Sequence, residues 1–374
     1  MNFSPLSYRL KLLLVFIFCA VQVGLLLHFG IYTKEEAVKY LYEAEHFKTF
    51  AHFSQPKYIF YSGYIFLQLL ADITGTGIIG LYIFQLLLNG FAAICFYRLV
   101  RNISGKEGTA FTATLLLLLC IPFQKWTVFL FTESVFFSLL IIYCYVLFAK
   151  FNRRYAKPVL LSLLLFLLII CRPTGMLVIP ASLALVSHHL FVNRQKLWAA
   201  LIWLPGLIGL IFLLDTAMKG KGEFDFIAPF VQEHIICGLP GNAAAGRAEA
   251  ENSLWGLLLY VLNHFIDFIK LGFARLVAFF GMFRSYYSGL HNLLLMASFY
   301  PVYILASFAI RHSFRNQRRF FIFSVTLVAT FAISVMLTCD DWHNRFIMPV
   351  MPIIFIYAAI GGTLLYNIIY RRKN

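Results

Sequence analysis

The sequence predicts an all-α, polytopic helical membrane protein with about ten transmembrane helices. Mean hydropathy is +0.80 and 61% of the residues are hydrophobic, whereas only 13% are charged, roughly half the share of a soluble domain. Apolar runs of about 20 residues recur along the 374 residues, and each run is long enough to cross a hydrocarbon core of about 30 Å. No internal repeat and no sizeable soluble stretch is visible. We therefore expect residues 1–374 to form a single transmembrane domain.

The apolar runs place the elements in order. The predicted spans are 10–31, 78–98, 107–121, 132–149, 158–171, 176–190, 198–214, 291–310, 320–338 and 346–369. Two long outside loops, 32–77 and 215–254, connect them. The second half of the first loop is apolar, and residues 255–284 mix apolar runs with charged positions. These patterns predict interfacial helices in the first outside segment and in the 215–284 segment, where the amphipathic helix leads into a re-entrant or short segment.

The charge distribution predicts the orientation. The net charge is +15, but the basic residues cluster in short connections rather than on a soluble surface, which excludes nucleic-acid binding. Placing these clusters inside satisfies the positive-inside rule and puts both termini in the cytoplasm. Of the sixteen Asp and Glu residues, only Glu107 then falls in a cytoplasmic connection. We expect a multi-pass protein of the cell inner (plasma) membrane with an extracytoplasmic active site.

The first outside loop contains an acidic, tyrosine-rich stretch at residues 33–45. Glu36, Tyr40, Glu43 and Phe47 follow i, i+4, i+7, i+11 spacing, which places them on one face of a short helix. Glu36, or its neighbour Glu35, is therefore a candidate general base. The alternative is a solvated amphipathic helix whose early glutamates favour the helix dipole.

A second candidate segment runs from Pro122 to Glu133. Lys125 and Trp126 lie in the connection, and Thr132-Glu133 opens the next span. An ionisable residue at the end of a span is a functional candidate when it faces a cavity. The alternative is that Thr132 and Glu133 only stabilise the first turn of the helix.

A third segment interrupts an apolar stretch at Arg172-Pro173-Thr174-Gly175. Proline and glycine end helices, and the backbone groups released there must face protein or water. Arg172 is a candidate anion-binding residue. Alternatively, its side chain extends to the lipid headgroups.

The fourth segment is a polar turn at residues 339–349 between two spans. Arg345 is placed to bind a phosphate through its guanidinium, or else it pairs with Asp341. Asp340, Asp341 and His343 are residue types that bind metals. Their spacing alone is weak evidence, so no metal and no other cofactor is predicted.

The cysteines divide into two groups. Five lie in apolar spans and are interpreted as small packing residues. Cys237 and Cys339 both map to the outside, where a disulfide is permitted, although spacing alone does not establish the pair.

In their order along the chain, these segments resemble the GT-C class of membrane glycosyltransferases, which includes protein O-mannosyltransferases and lipid A aminoarabinose transferases. The matching motifs are Glu36-x-x-x-Tyr40, the tyrosine-rich stretch Tyr58 to Tyr64, Pro122 and Trp126 before Thr132-Glu133, the break from Arg172 to Gly175, and the turn from Arg345 to Pro349. The family usually has Asp at the loop position where this chain has Glu35-Glu36. Which of the two glutamates corresponds to that Asp stays open.

The resemblance implies an enzyme that moves a hexosyl or pentosyl group from a polyprenyl-phosphate-linked donor to a hydroxyl of a glycan, lipid or protein, with inversion. Glu36 or Glu35 would be catalytic. Tyr40, Lys125, Glu133, Arg172, Arg345, Asp341 and His343 would bind substrate, and membrane lipid would surround the donor tail. The alternative is a lipid-linked glycan polymerase, ligase or flippase of envelope polysaccharide synthesis. A polymerase would be expected to use several arginines in its large loop, and 215–254 holds only Arg247.

Overall fold

The computed structural model describes residues 5–150, 155–218, 228–239 and 253–371, and these residues form helices and connections without strands. Most of the predicted outside loop 215–254, including Arg247, lies outside these ranges. The helices are α1 Pro5–Phe29, α2 Glu36–Phe50, α3 Ser62–Ile73, α4 Gly77–Ser104, α5 Glu107–Leu119, α6 Ile121–Gln124, α7 Thr132–Phe148, α8 Ala156–Cys171, α9 Val178–Val192, α10 Lys196–Leu201, α11 Trp203–Met218, α12 Ala228–Val231, α13 Leu254–Asn263, α14 Phe265–Gly281, α15 Gly289–Asn316, α16 Arg318–Leu337 and α17 Met351–Arg371. Short 3-10 turns cover Pro56–Tyr61, Lys125–Thr127, Pro173–Leu177 and Met348–Val350.

The apolar helices confirm an all-α, multi-pass membrane protein. Within the described residues, six helices are long and apolar enough to cross a bilayer, or up to eight if two bent pairs each count as one span. The bent pairs are α5 with the segment Ile121–Thr127, at 66°, and α13 with α14, at 101°. Three shorter apolar helices cover the remaining predicted spans, 132–149, 158–171 and 198–214. All ten predicted segments are thus helical, although four of them are short or sharply bent.

The helix ends follow from local sequence. Gly105 ends α4 with φ 68°, a left-handed conformation that glycine adopts without a steric penalty. Pro122 lacks a backbone N–H and stands just after α5, where the chain bends. Arg172 precedes Pro173 and is extended (φ −160°, ψ 140°), as steric conflict with a following proline requires.

The chain divides into two compact units. The first comprises Met1–Ile179, Val302–Phe320 and Met348–Asn374, and the second comprises Pro180–Pro301 and Phe321–Ile347. The single domain expected from the sequence stays a prediction, because such units can also be parts of one domain.

The first unit has α17 near its centre. Residues 351–360 of this helix are buried, and the candidate span that contains α17 is the most buried of the six long ones. It packs against α5, while α4 packs against α5 and α7. A Cβ at Gly361 would overlap the Leu305 carbonyl oxygen, so a residue without a side chain lets the two backbones approach there.

In the second unit, a fully buried arginine joins three segments. Arg275 on α14 donates to the carbonyl oxygens of His234 at 2.8 Å, Met336 at 2.9 Å and Pro229 at 2.7 Å. A disulfide joins Cys237 to Cys339, with their Cα atoms 5.2 Å apart. The pairing permitted by the sequence is therefore present in the structure, and it fixes residues 228–239 to the end of α16.

Candidate active site

Helix α2 confirms the short helix predicted in the first outside loop. It begins at Glu36, and its inward face buries Ala37, Tyr40, Glu43 and Ala44. Glu43 is fully buried and accepts hydrogen bonds from the backbone N–H of Ser54, at 3.1 Å, and from the Ser54 hydroxyl. The Glu43 carboxylate therefore holds Ser54, in the connection after α2, against this helix.

The two adjacent glutamates have different environments. Glu35 is exposed and has φ 55° and ψ −119°, a backbone conformation that is strained for a residue with a side chain. The pKa of Tyr32 is raised, first by burial and then by the negative charge of Glu35. The Glu35 side chain also accepts a hydrogen bond from Tyr32. Glu36 is half-buried, and its charge acts on Tyr40 instead. The two adjacent carboxylates thus interact with different tyrosines, Glu35 with Tyr32 and Glu36 with Tyr40.

Tyr40 lies at the centre of a group of tyrosines. Its ring centroid is 5.5 Å from that of Tyr61 and 5.5 Å from that of Tyr64, and the Tyr64 ring meets it edge-on. Burial raises the pKa of Tyr40 well above its usual value, and the negative charge of Glu36 raises it further. The phenol therefore stays protonated near neutral pH and can donate a hydrogen bond.

Glu133 and Arg172 form a buried ion pair. Glu133 lies in the first turn of α7 and is fully buried, and Arg172 follows the last residue of α8 with its side chain 11% exposed. The Thr132 hydroxyl lies 3.2 Å from Glu133 Oε2 and 3.5 Å from Arg172 Nη1. Arg172 therefore pairs with Glu133 and does not extend to the lipid headgroups. Glu133 in turn does more than stabilise the first turn of α7.

Close backbone packing holds Arg172 in place. The 3-10 turn after it folds back on α8, so that a Cβ at Gly175 would overlap the Leu168 carbonyl and lie 2.8 Å from the Ile169 nitrogen. A Cβ at Gly63, at the start of α3, would lie 3.1 Å from Ile170 Cγ1. Glycines in two of the motifs therefore bring α3, α8 and the turn together.

Three charged residues of the predicted site act electrostatically on a fourth, Tyr40. Besides burial and Glu36, the charges that act on the pKa of Tyr40 include Glu133, which raises it, and Arg172, which lowers it. The structure thus brings together Glu36, Tyr40, Glu133 and Arg172, which we call the Tyr40 cluster. Chemically, it combines carboxylates, a protonated phenol and a guanidinium.

Lys125 belongs to the same unit. It is half-buried in the 3-10 turn Lys125–Thr127, and its ammonium lies 4.9 Å from the ring centroid of buried Trp126. A cation over an indole face is electrostatically favourable. The predicted role of Lys125 in substrate binding stays a prediction.

Residues 339–347 of the polar turn lie in the second unit, and Met348 and Pro349 belong to the first. Arg345 Nε is 2.7 Å from Asp341 Oδ2, which is the pairing that the sequence left open, and Asp341 Oδ1 accepts from the His343 backbone N–H at 2.9 Å. The His343 ring is exposed. Among the described residues, no group of three or more His, Cys, Asp or Glu is arranged to hold a metal ion. The substrate-binding roles predicted for Arg345, Asp341 and His343 stay predictions.

The buried polar residues that sequence reasoning missed include Arg284 and Gln85. Arg284 is 2% exposed and pairs with Asp340, which is also buried, and Gln85 is a fully buried amide inside α4. A signal existed for Gln85, because an amide in the middle of an apolar span needs internal partners. Arg284 directly follows an apolar run, which gave no comparable signal.

Comparison with known proteins supports the resemblance inferred from the motifs. Residues 61–217 match the family model described as dolichyl-phosphate-mannose-protein mannosyltransferase, a glycosyltransferase domain of the GT-C type. The matched segment contains Tyr61, Tyr64, Lys125, Glu133 and Arg172. No curated protein and no solved structure shows significant similarity to the chain. The match supports a membrane glycosyltransferase of the mannosyltransferase type in general.

Proposed function

We propose that the protein transfers a sugar from a polyprenyl-phosphate donor to an acceptor hydroxyl on the extracytoplasmic side of the membrane, with inversion. The observation that carries this proposal is the Tyr40 cluster, in which the half-buried carboxylate of Glu36 and the buried Glu133–Arg172 pair both act electrostatically on Tyr40. The family description refers to dolichyl-phosphate mannose, so a polyprenyl-phosphate mannose is the first donor to test.

In the proposed reaction, Glu36 removes the proton of the acceptor hydroxyl as its oxygen attacks the anomeric carbon. The bond from that carbon to the phosphate oxygen breaks, and the lipid phosphate leaves with the electron pair. A single displacement inverts the anomeric centre. Tyr40, kept protonated, donates a hydrogen bond to the sugar or to the acceptor.

Arg172 is proposed to stabilise the departing phosphate. A guanidinium has five N–H donors, so an arginine that Glu133 orients can also bind a phosphate oxygen. Stabilising charge that develops in the transition state is usually the largest catalytic contribution. Lys125, in the same unit, is the second candidate cation.

The disulfide supports the proposed side of the membrane. Disulfides persist in oxidising compartments, and Cys237 and Cys339 both map to the segments assigned to the outside. The carboxylates of the first outside loop carry the same assignment from the positive-inside rule. The proposed active site is accordingly extracytoplasmic.

The test uses the full chain in proteoliposomes with a panel of polyprenyl-phosphate hexoses and pentoses and soluble acceptors. We expect Glu36→Gln to lower transfer by roughly 100-fold or more, because general-base catalysis contributes about 10²–10⁴-fold. Glu45→Gln is the matched control, since Glu45 lies on the same helix and its side chain is 64% exposed. It should retain full activity.

The outcomes separate the two glutamates. Full activity of Glu36→Gln together with loss in Glu35→Gln would assign the base to Glu35. Full activity in both variants would contradict a catalytic role for this turn. Retention of anomeric configuration in the product would contradict single displacement.

A further inference from the structure

Gln85 lies in the interior of α4, a helix whose other residues are mostly apolar, and its side chain is fully buried. Burying an amide without hydrogen bonds costs roughly 1–3 kcal/mol by protein mutational data, so its partners define why it is tolerated. The structure gives this side chain three hydrogen bonds, all to residues distant in the sequence.

The oxygen of Gln85 holds Tyr64. Tyr64 donates its hydroxyl to Gln85 Oε1 at 2.7 Å, and the Tyr64 side chain is fully buried. The Tyr64 ring packs edge-on against Tyr40 at a centroid distance of 5.5 Å. Gln85 therefore fixes the ring that supports the central residue of the Tyr40 cluster.

The nitrogen of Gln85 holds the chain that leads to Glu133. Its Nε2 donates to the carbonyl oxygens of Thr127 and Phe129, each at 3.0 Å. The network also fixes the orientation of the amide, because a rotated amide would point its oxygen at two carbonyls and its nitrogen at the Tyr64 hydroxyl. Three residues after Phe129, the chain enters the first turn of α7.

The same segment binds the chain that leads to Glu36. The Tyr32 N–H donates to the Val128 carbonyl at 2.9 Å, and the Leu130 N–H donates to the Tyr32 carbonyl at 3.0 Å. The Tyr32 ring lies 4.4 Å from that of Phe129. Tyr32 is followed within four residues by Glu35 and Glu36, so the segment that leads into α7 also binds the residues just before α2.

From this geometry we propose that Gln85 is a positioning residue, which sets the relative placement of Glu36, Tyr40 and Glu133 through Tyr64 and the segment 127–131. The catalytic consequence rests on the proposed transfer reaction. Gln85 itself touches neither donor nor acceptor. It acts by making the site rigid before substrate binds, and a displacement of about 1 Å in such a site can cost about 100-fold in rate.

The experiment compares Gln85→Met with Asn89→Leu in the full chain. Asn89 is a matched control, because it is a second buried amide one turn further along α4. Both changes replace an amide by an apolar group of similar volume. We expect Gln85→Met to lower kcat by on the order of 10- to 100-fold with the donor KM changed by less than about threefold, whereas Asn89→Leu retains kcat.

A second variant keeps the test informative if Gln85→Met expresses poorly. Tyr64→Phe removes only the hydroxyl at the other end of the 2.7 Å bond and should lower kcat in the same manner, with no further loss when it is combined with Gln85→Met. Unchanged kcat in Gln85→Met, or an equal loss in Asn89→Leu, would overturn the positioning role. A loss that appears in KM alone would overturn it as well.

Amide hydrogen exchange separates this inference from the proposed function. The Tyr32 and Leu130 amides should lose protection by roughly tenfold in Gln85→Met, because the segment that accepts and donates their hydrogen bonds is released. If the wild-type protein transfers no sugar, the proposed function fails while this exchange effect still supports the positioning geometry. Unchanged protection in Gln85→Met would refute the geometry whatever the activity.

Discussion

Replacing Arg172 by methionine removes the cation that the structure places on the buried carboxylate of Glu133 while keeping most of the side-chain volume. Glu133 is fully buried and Arg172 is 11% exposed, so water screens this pair weakly. Removing one partner of a buried ion pair costs about 3–5 kcal/mol, because the remaining charge loses its compensation. We expect Arg172→Met to lower the free energy of unfolding by that amount.

A matched control exists in the same unit. Arg101 Nε lies 2.9 Å from Glu107 Oε1, but the side chains of this pair are 41% and 32% exposed. An exposed pair contributes about 0–1 kcal/mol, so Arg101→Met should change stability little. Denaturant titration in one fixed detergent, followed by far-UV circular dichroism, measures both variants under equal conditions.

The double variant Glu133→Gln/Arg172→Met isolates the charge. With both charges removed, the site holds a neutral amide and an apolar side chain, and stability should return to within about 2 kcal/mol of wild type. Sugar transfer should stay lost, because the proposed phosphate ligand is absent. Destabilisation of Arg172→Met no greater than that of Arg101→Met would refute the reasoning, as would a double variant less stable than Arg172→Met.

Two further predictions concern packing and pH. In a thermal melt, Gly175→Ala should destabilise the protein by about 1–3 kcal/mol or more, because the new Cβ would meet the backbone of Leu168 and Ile169 and not a movable side chain. The control is Gly108→Ala, at an exposed helical position with nothing within 4 Å. It should be neutral or slightly stabilising in the same melt. Burial raises the pKa of Asp340 from 3.8 to about 6, although the charge of Arg284 acts in the opposite direction. The folded state therefore binds this proton more tightly than the unfolded state does, and the free energy of unfolding should fall as the pH rises from about 4 to 6. Asp340→Asn should show a smaller fall over this window, and a wild-type protein that gains stability relative to this variant would contradict the sign.

The sequence was sufficient for the helices, because their signals are local. Apolar runs predicted the spans, and the spacing of Glu36, Tyr40 and Glu43 predicted α2. The 66° bend after α5 was not predicted, since composition reports the length of an apolar run and not its direction.

The pairings in the candidate site required the structure. Glu133 and Arg172 were each identified as candidates, but nothing local says that residues 39 positions apart form an ion pair. The same holds for Gln85, whose partners Thr127 and Phe129 are 42 and 44 residues away. The residue type predicts that a buried polar side chain needs a hydrogen-bond or ion-pair partner, whereas only the three-dimensional structure shows which group is that partner.

The Cys237–Cys339 disulfide also limits how often the chain crosses the bilayer. Two bonded cysteines lie on one side of the membrane, so the chain between them, with a sequence separation of 102, must cross an even number of times. Helices α15 and α16, both long enough to span, account for two crossings. With these two crossings, the bent pair α13–α14 adds an even number of crossings, which excludes a single broken span. The bond cannot form before Cys339 has been synthesised and lies on the same side of the membrane as Cys237, so it forms only after the whole of α13 to α16 has been made.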